Sequence, residues 1–209
     1  MMELQARDRE ILAFISNVKV VTIRIIHDVF FRQTATSTEA CRRRLQKLTQ
    51  AGYLQMFKDG FGREHLYRLT PRESREVEDQ RLTLARFYAA LKQLNIPIIK
   101  EEFYCKYVNV VMDATLLVQV NDEKQLWFVQ SNRLKPFPTK KVQQWFSNTY
   151  YDEEINQATA EYSRLGFDVV KFVSLSDFPA SMTLNIKPIR IGTEIKDLSP
   201  LIGSHAPLD

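Results

Sequence analysis

The chain has 209 residues, of which 44% are hydrophobic and 26% are charged, with a net charge of +4 at pH 7. This is the composition of a folded protein with one large domain or two small ones, and it excludes a collagen-like or disordered chain. The two cysteines and three histidines match no metal or redox spacing, so we expect no metal and no cofactor. Because no apolar run reaches about 18 residues and the first residues carry charges, we expect a soluble, cytoplasmic protein that binds no membrane.

The positive charge is concentrated near the start of the chain. Residues 1–69 carry 12 of the 29 Lys and Arg but only 7 of the 25 Asp and Glu. The remaining residues hold 17 basic and 18 acidic side chains, so the whole excess lies in the first third. A local basic excess indicates an anionic partner such as nucleic acid.

Two helices are predicted first. Apolar side chains recur at helical spacing over residues 7–17, and charged side chains occupy the other side. A second apolar stripe over residues 22–31 predicts another helix, which Thr22 can cap.

A third helix follows the polar, turn-like residues 32–37. Thr36 and Glu39 have the spacing of a capping box, and the helix is predicted to end at Gly52, a residue that accepts a left-handed cap. Helical spacing turns Cys41, Leu45 and Leu48 toward the core.

The opposite side of this third helix is polar and basic. Arg pairs bidentately with guanine and Gln with adenine, so the sequence predicts that this side enters the major groove of DNA. Arg44, near the edge of the buried stripe, is expected to contact phosphate or to pack locally. The residues predicted to contact DNA from this helix are Thr38, Arg42, Arg43, Gln46, Lys47 and Gln50.

After Gly52 the pattern changes to two predicted strands, residues 53–58 and 64–69, joined by a glycine-rich turn. Lys58 and Arg63 flank this turn and are predicted to contact the DNA backbone or minor groove. Three helices followed by a hairpin is the order of a winged helix-turn-helix. Winged helices also serve as protein-docking modules, so that alternative stays open.

A long helix is predicted from Thr70-Pro71 to Leu94, because proline suits a first helical turn. Val77, Leu84 and Leu91 recur every seven residues along it. This stripe either packs on the core of its own domain or pairs with a second copy in a homodimer. The segment Asn95-Ile96-Pro97 is predicted to end the helix and to mark a domain boundary.

The second half predicts a small α/β domain. Strands are predicted at residues 108–120, 126–129, 167–175 and 184–191, and helices at 139–148 and 152–165. The predicted fold class is therefore α+β or α/β. Its predicted parts are a winged helix domain at residues 1–70, a linking helix at 71–95, an α/β domain at 96–198 and a loose tail at 199–209.

The first part resembles the winged helix of the bacterial replication-relaxation family, which occurs in plasmids, phages and integrative elements. The segments that carry the resemblance are RDREILAFI, the helix ending VFF, CRRRLQKLTQAGYL and LYRLTPRE. The second half is similar to the companion domain of that family, which has a restriction-endonuclease-like core. The resemblance implies that Asp113 stands at the first acidic position and Lys141 near the helical lysine.

The chain departs from the acidic pattern of that core. Gln130 stands where the family has a Glu, and Asn132 where a second acid can follow. Metal-dependent cleavage of a phosphodiester needs clustered carboxylates, so we expect no nuclease activity and no enzyme, although Glu101 and Glu102 lie upstream and could add a carboxylate.

Three functional hypotheses follow. The first is a sequence-specific binder of double-stranded DNA in a mobile element, either a transcriptional regulator or an accessory factor for replication or transfer. The second is a metal-dependent nuclease that uses Asp113 and Lys141. The third is a protein-docking module whose C-terminal domain binds a protein partner through aromatic side chains, namely Trp127, Trp145, Phe146, Tyr150 and Tyr151.

Overall fold

A computed structural model of the chain describes residues 3–32, 37–58, 64–71, 73–107, 110–131, 160–177 and 189–202. The protein is a mixed α+β chain, with helices near its N-terminus and a five-stranded mixed sheet in its C-terminal part. It divides into two compact units, unit 1 (Met1–Leu94) and unit 2 (Asn95–Asp209). The division falls at the segment where the sequence predicts a boundary.

Unit 1 combines four helices with a small antiparallel sheet in its described residues. The sheet has the strand order β1-β3-β2, so the last strand lies in the middle. In chain order the elements are α1 (Ala6–Val18), β1 (Val21–Thr22), α2 (Ile23–Phe30), α3 (Ser37–Gln50), β2 (Gln55–Lys58), β3 (His65–Arg68) and α4 (Arg75–Gln93).

The first three predicted helices are present. The Thr22 hydroxyl accepts a hydrogen bond from the Ile25 N–H at 3.4 Å, as expected of a capping residue. After α3, Gly52 adopts φ +81°, in the left-handed region where glycine meets no steric penalty. Thr36, which was predicted to form a capping box with Glu39, lies outside the described residues.

Strand β1 was not predicted, because two residues are too short to show an alternating pattern. It is defined by pairing with a distant strand, Val21 opposite Tyr67 and Thr22 opposite Leu66. The predicted start of α4 at Thr70-Pro71 is wrong, since the helix begins at Arg75 after the extended residue Ser74.

The apolar stripe of α4 belongs to the core of the chain. Leu84, Phe87 and Leu91 are fully buried. The helix contacts α1, α2 and β1, and the ring centroids of Phe14 and Tyr88 lie 5.2 Å apart. These contacts are the ones expected if the stripe packs on the core of its own domain, although Val77, its first residue, is only partly buried.

A buried ion pair joins β3 to α4. Arg68 donates to the Glu78 carboxylate, and both side chains are almost completely buried. The Arg68 guanidinium also lies over the Phe57 ring, 4.1 Å from its centroid. Because each charge is desolvated, the pair contributes to stability only while both partners are present.

Unit 2 contains the five-stranded sheet, with strand order β4-β5-β6-β7-β8. The first three strands run antiparallel, whereas β6, β7 and β8 run parallel to one another. Residues 160–165 are helical, and a final helical turn covers Ser199–Ile202. The strands are β4 (Ile98–Tyr107), β5 (Val110–Val120), β6 (Glu123–Ser131), β7 (Val169–Leu175) and β8 (Ile189–Ile191).

The β5–β6 hairpin was predicted, whereas β4 was missed. Asn121 and Asp122 form the hairpin turn with φ of +48° and +67°, the positive values that a two-residue turn requires. Strand β4 contains charged residues at four positions and lies at an edge of the sheet, so its sequence lacks a clean apolar alternation.

Residues 199–202 of the tail that was predicted to be loose form a helical turn, and the rest of that tail lies outside the described residues. Leu201 is fully buried and Ile202 nearly so, which holds the final helical turn in place. The predicted helix at residues 139–148 and most of the one at 152–165 lie outside the described residues. No described helix has the length and apolar content needed to cross a membrane.

Candidate nucleic-acid interface

The inner side of α3 fixes the orientation of the helix. Cys41, Leu45 and Leu48 have no exposed surface, as predicted from their spacing. The Cys41 thiol lies 3.7 Å from the Ile23 carbonyl oxygen, and burial raises its pKa to about 12. It therefore stays a neutral thiol that serves packing.

A second constraint on α3 comes from α1. Arg44 forms a two-pronged ion pair with Asp8, whose side chain is only 1% exposed. The Gln5 N–H donates to the same carboxylate at 2.7 Å. The hydrogen bonds from Arg44 above all, and then that from Gln5, lower the pKa of Asp8 below its usual value. Arg44 thus packs locally, one of the two roles the sequence allowed.

The outer side of α3 is exposed, as the helical spacing predicts. The Arg42 side chain is 60% exposed and that of Arg43 is 73% exposed. Three basic side chains and one carboxylate share this surface. Its exposed residues, called the α3 outer face below, are Thr38, Glu39, Arg42, Arg43, Gln46, Lys47 and Gln50.

Glu39 contacts both arginines of the α3 outer face. Its Oε2 lies 3.3 Å from Arg42 Nη1, and its Oε1 lies 3.1 Å from Arg43 Nε. Exposed pairs of this kind stabilise a protein by less than about 1 kcal/mol each. Glu39 therefore holds the two arginine side chains only weakly, and they can reorient to bind an external anion.

The hairpin supplies one further described cation. Lys58 is exposed at the end of β2, where Lys58 pairs with His65 of β3. Arg63, the other predicted contact of the hairpin, lies outside the described residues together with the rest of the turn. Of the eight residues that the sequence predicts to contact DNA, the structure therefore describes seven, and all seven are exposed.

A cleft of about 470 Å³ opens beside the α3 outer face, between α2, α3 and β3. None of its residues from α2 or β3 was predicted from the sequence, because only the folded chain brings these elements together. Arg24, an exposed basic residue of α2, was the sequence feature that could have indicated this cleft. The lining residues are Ile23, Arg24, His27, Thr38, Arg42, Glu64 and His65.

In unit 2, Asp113 and Gln130 lie on neighbouring strands. Ala114 pairs with Val129, and Asp113 and Gln130 are the residues next to this pair on the two strands. Asp113 accepts a hydrogen bond from the Ser131 N–H at 2.6 Å, and Gln130 Oε1 is buried without a hydrogen-bond partner among the described residues.

The carboxylates needed to bind a metal beside Asp113 are not assembled in the described ranges. No group of three or more His, Cys, Asp or Glu side chains there has a geometry that could hold a metal ion. Glu102 is engaged with Lys100 at 3.1 Å, and Lys141 lies outside the described ranges.

Comparison with models of known protein families, with curated proteins and with solved structures gave no match to this chain.

Proposed function

We propose that unit 1 is a winged helix-turn-helix domain that binds double-stranded DNA. In this proposal α3 is the recognition helix and the β2–β3 hairpin is the wing. The order helix, strand, helix, helix, strand, strand supports it, as does the antiparallel sheet in which β1 pairs with β3. In such domains the recognition helix enters the major groove and flanking elements contact the backbone.

The two-sided character of α3 carries the proposal. Its inner side is fully buried and is also held by the Arg44–Asp8 ion pair, so the orientation of the helix is fixed before any ligand arrives. Its outer face presents arginine, lysine and glutamine side chains, which read base edges and neutralise phosphates. A fixed helix with a cationic, amide-rich outer face fits a DNA groove better than it fits an apolar protein surface.

The resemblance of the N-terminal segments to the replication-relaxation family supports a proposal for the cellular role. We propose a protein of a mobile element that acts as a transcriptional regulator or as an accessory factor for replication or transfer. Unit 2 would then provide a platform for a protein partner or for further DNA, and Asp113 would have no part in catalysis.

The test removes two charges from the α3 outer face. The variant Arg43→Ala with Lys47→Ala should bind duplex DNA more weakly while its thermal unfolding stays close to that of the parent, since both side chains are exposed. Each lost phosphate contact makes log K less dependent on log salt by about 0.9, so two lost contacts predict a slope shallower by nearly 2. Fluorescence anisotropy of a labelled duplex between 50 and 300 mM salt measures this slope.

The matched control removes two charges elsewhere in unit 1. Arg9 of α1 and Arg86 of α4 are exposed and belong to neither α3 nor the hairpin. The variant Arg9→Ala with Arg86→Ala has the same net charge as the test variant and should keep the parental slope. Equal losses in the two variants would show that only net charge matters and would refute α3 as the DNA-reading element.

A further inference from the structure

We propose that the cleft between α2, α3 and β3 binds a phosphate group, and binds it more tightly when His27 and His65 are protonated. The inference rests on the proposed function in one respect: it takes the phosphate to be one of the DNA backbone, next to the groove that α3 enters. A free phosphorylated molecule would present the same chemistry to the cleft, and the experiment below separates the two sources.

The composition of the cleft indicates an anionic ligand. Arg24 from α2 and Arg42 from α3 line it, together with the hydroxyl-bearing Thr38. Arginine and hydroxyl side chains are the usual partners of phosphate oxygens. Since Arg42 belongs both to the cleft and to the α3 outer face, a phosphate in the cleft lies beside the surface proposed to face the bases.

The acidic groups around the cleft oppose this attraction at high pH. Glu64, the residue before β3, lines the cleft, Asp28 Oδ1 lies 3.0 Å from His27 Nδ1, and Glu39 contacts Arg42. Three carboxylates therefore offset the positive charges of Arg24 and Arg42, which line the cleft, and of Lys58, the cross-strand partner of His65, when the histidines are neutral. The local charge is then close to zero.

Protonation of the two histidines changes this balance. His27 from α2 and His65 from β3 both line the cleft, and both are partly exposed. Histidine is the side chain that ordinarily changes charge between pH 5 and 8. Two added charges convert a nearly neutral cleft into a cationic one, which favours a phosphate group.

The first measurement is the salt dependence of binding to a labelled 20-base-pair duplex at pH 5.5 and at pH 8. Because the cleft takes one backbone phosphate, fuller neutralisation of that phosphate makes the slope of log K against log salt steeper by up to about 0.9 at pH 5.5. In the variant His27→Gln with His65→Gln the two slopes should coincide. In Arg24→Gln the slope should be shallower by about 0.9 at both pH values, with an affinity loss on the order of tenfold that is the same for every sequence.

The second measurement uses the parent protein, so it remains valid even if the double histidine variant fails to fold. The ring-proton NMR signals of His27 and His65 are followed while duplex DNA, or inorganic phosphate alone, is added to the parent protein. The signal of His205, the third histidine of the chain, is followed in the same titration. We expect the added ligand to shift the signals of His27 and His65, and we expect smaller shifts in the variant Arg24→Gln.

The outcomes separate this inference from the proposed function. If the parent binds DNA but Arg24→Gln keeps its affinity and the histidine signals do not move, the cleft is not a phosphate site, while DNA binding by α3 stands. If the parent binds no duplex but inorganic phosphate moves both signals, the cleft holds a free phosphorylated ligand and the DNA proposal fails. If neither ligand has any effect, both proposals are overturned.

Discussion

Replacing Glu39 by Gln should affect stability and DNA binding in opposite directions. The carboxylate of Glu39 holds two arginines of the α3 outer face, at 3.3 Å from Arg42 and 3.1 Å from Arg43. It also lies in the first turn of α3, where a negative charge interacts favourably with the helix dipole. The substitution Glu39→Gln removes these attractions but keeps the size of the side chain.

The stability cost is small because every group involved is exposed. Each exposed pair is worth about 0.3–0.5 kcal/mol and the dipole interaction about 0.3–1 kcal/mol. The free energy of unfolding should therefore fall by no more than about 2 kcal/mol. At roughly 4–8 °C per kcal/mol for a domain of this size, the unfolding temperature falls by no more than about 16 °C.

DNA binding should become stronger in the same variant. Two like charges about 7 Å apart in water repel by about 0.6 kcal/mol without salt and by about half as much at 100 mM salt, so removing one carboxylate beside a phosphate raises affinity roughly 1.5- to 2-fold per phosphate approached. Anisotropy titration at 100 mM salt measures the gain, and calorimetry or circular dichroism measures the unfolding temperature. Glu10→Gln, an exposed position on α1, makes the same charge change away from α3 and should leave affinity nearly unchanged. Weaker DNA binding by Glu39→Gln, or an equal gain in Glu10→Gln, would refute the assignment of the α3 outer face.

Three further predictions concern buried or engaged side chains. Because the pKa of Asp8 is lowered in the native state, its carboxylate contributes stability that is complete above the unfolded-state pKa near 3.9 and is lost as pH falls through the native pKa. The variant Asp8→Asn should therefore lower the free energy of unfolding by about 3 kcal/mol at pH 7 and by much less at pH 3, as measured by urea unfolding. Glu78→Leu alone should cost about 3–5 kcal/mol in the same assay, and adding Arg68→Met should recover most of the loss, since the double variant leaves no unpaired buried charge. Supercoiled plasmid incubated with Mg²⁺ or Mn²⁺ should stay intact with parent protein, and nicking that disappears in Asp113→Ala would overturn the non-enzymatic proposal.

Local sequence patterns predicted the elements that depend on neighbouring residues. Helix α3 and its buried side could be predicted because Cys41, Leu45 and Leu48 repeat at helical spacing, and its end because Gly52 accepts a left-handed backbone. The β5–β6 hairpin was predictable for the same reason, since Asn121 and Asp122 favour a tight turn.

Elements that depend on distant partners could not be predicted. Strand β1 exists because Val21 and Thr22 pair with residues of β3 about 45 positions later, which no local pattern reveals. The start of α4 was misplaced because a proline that suits a first helical turn also suits the extended segment before one.

The sequence by itself determined which residues form the exposed, basic face of α3, because helical periodicity and side-chain polarity are properties of consecutive residues. Only the tertiary structure decided that Arg44 turns inward to Asp8 while Arg42 and Arg43 stay exposed. Likewise, the cleft that joins Arg24, Arg42 and His65 exists only after α2, α3 and β3 have packed together. The physical reason is that a helix face is set by a rise and rotation per residue, whereas a cleft is set by contacts between residues far apart in the chain.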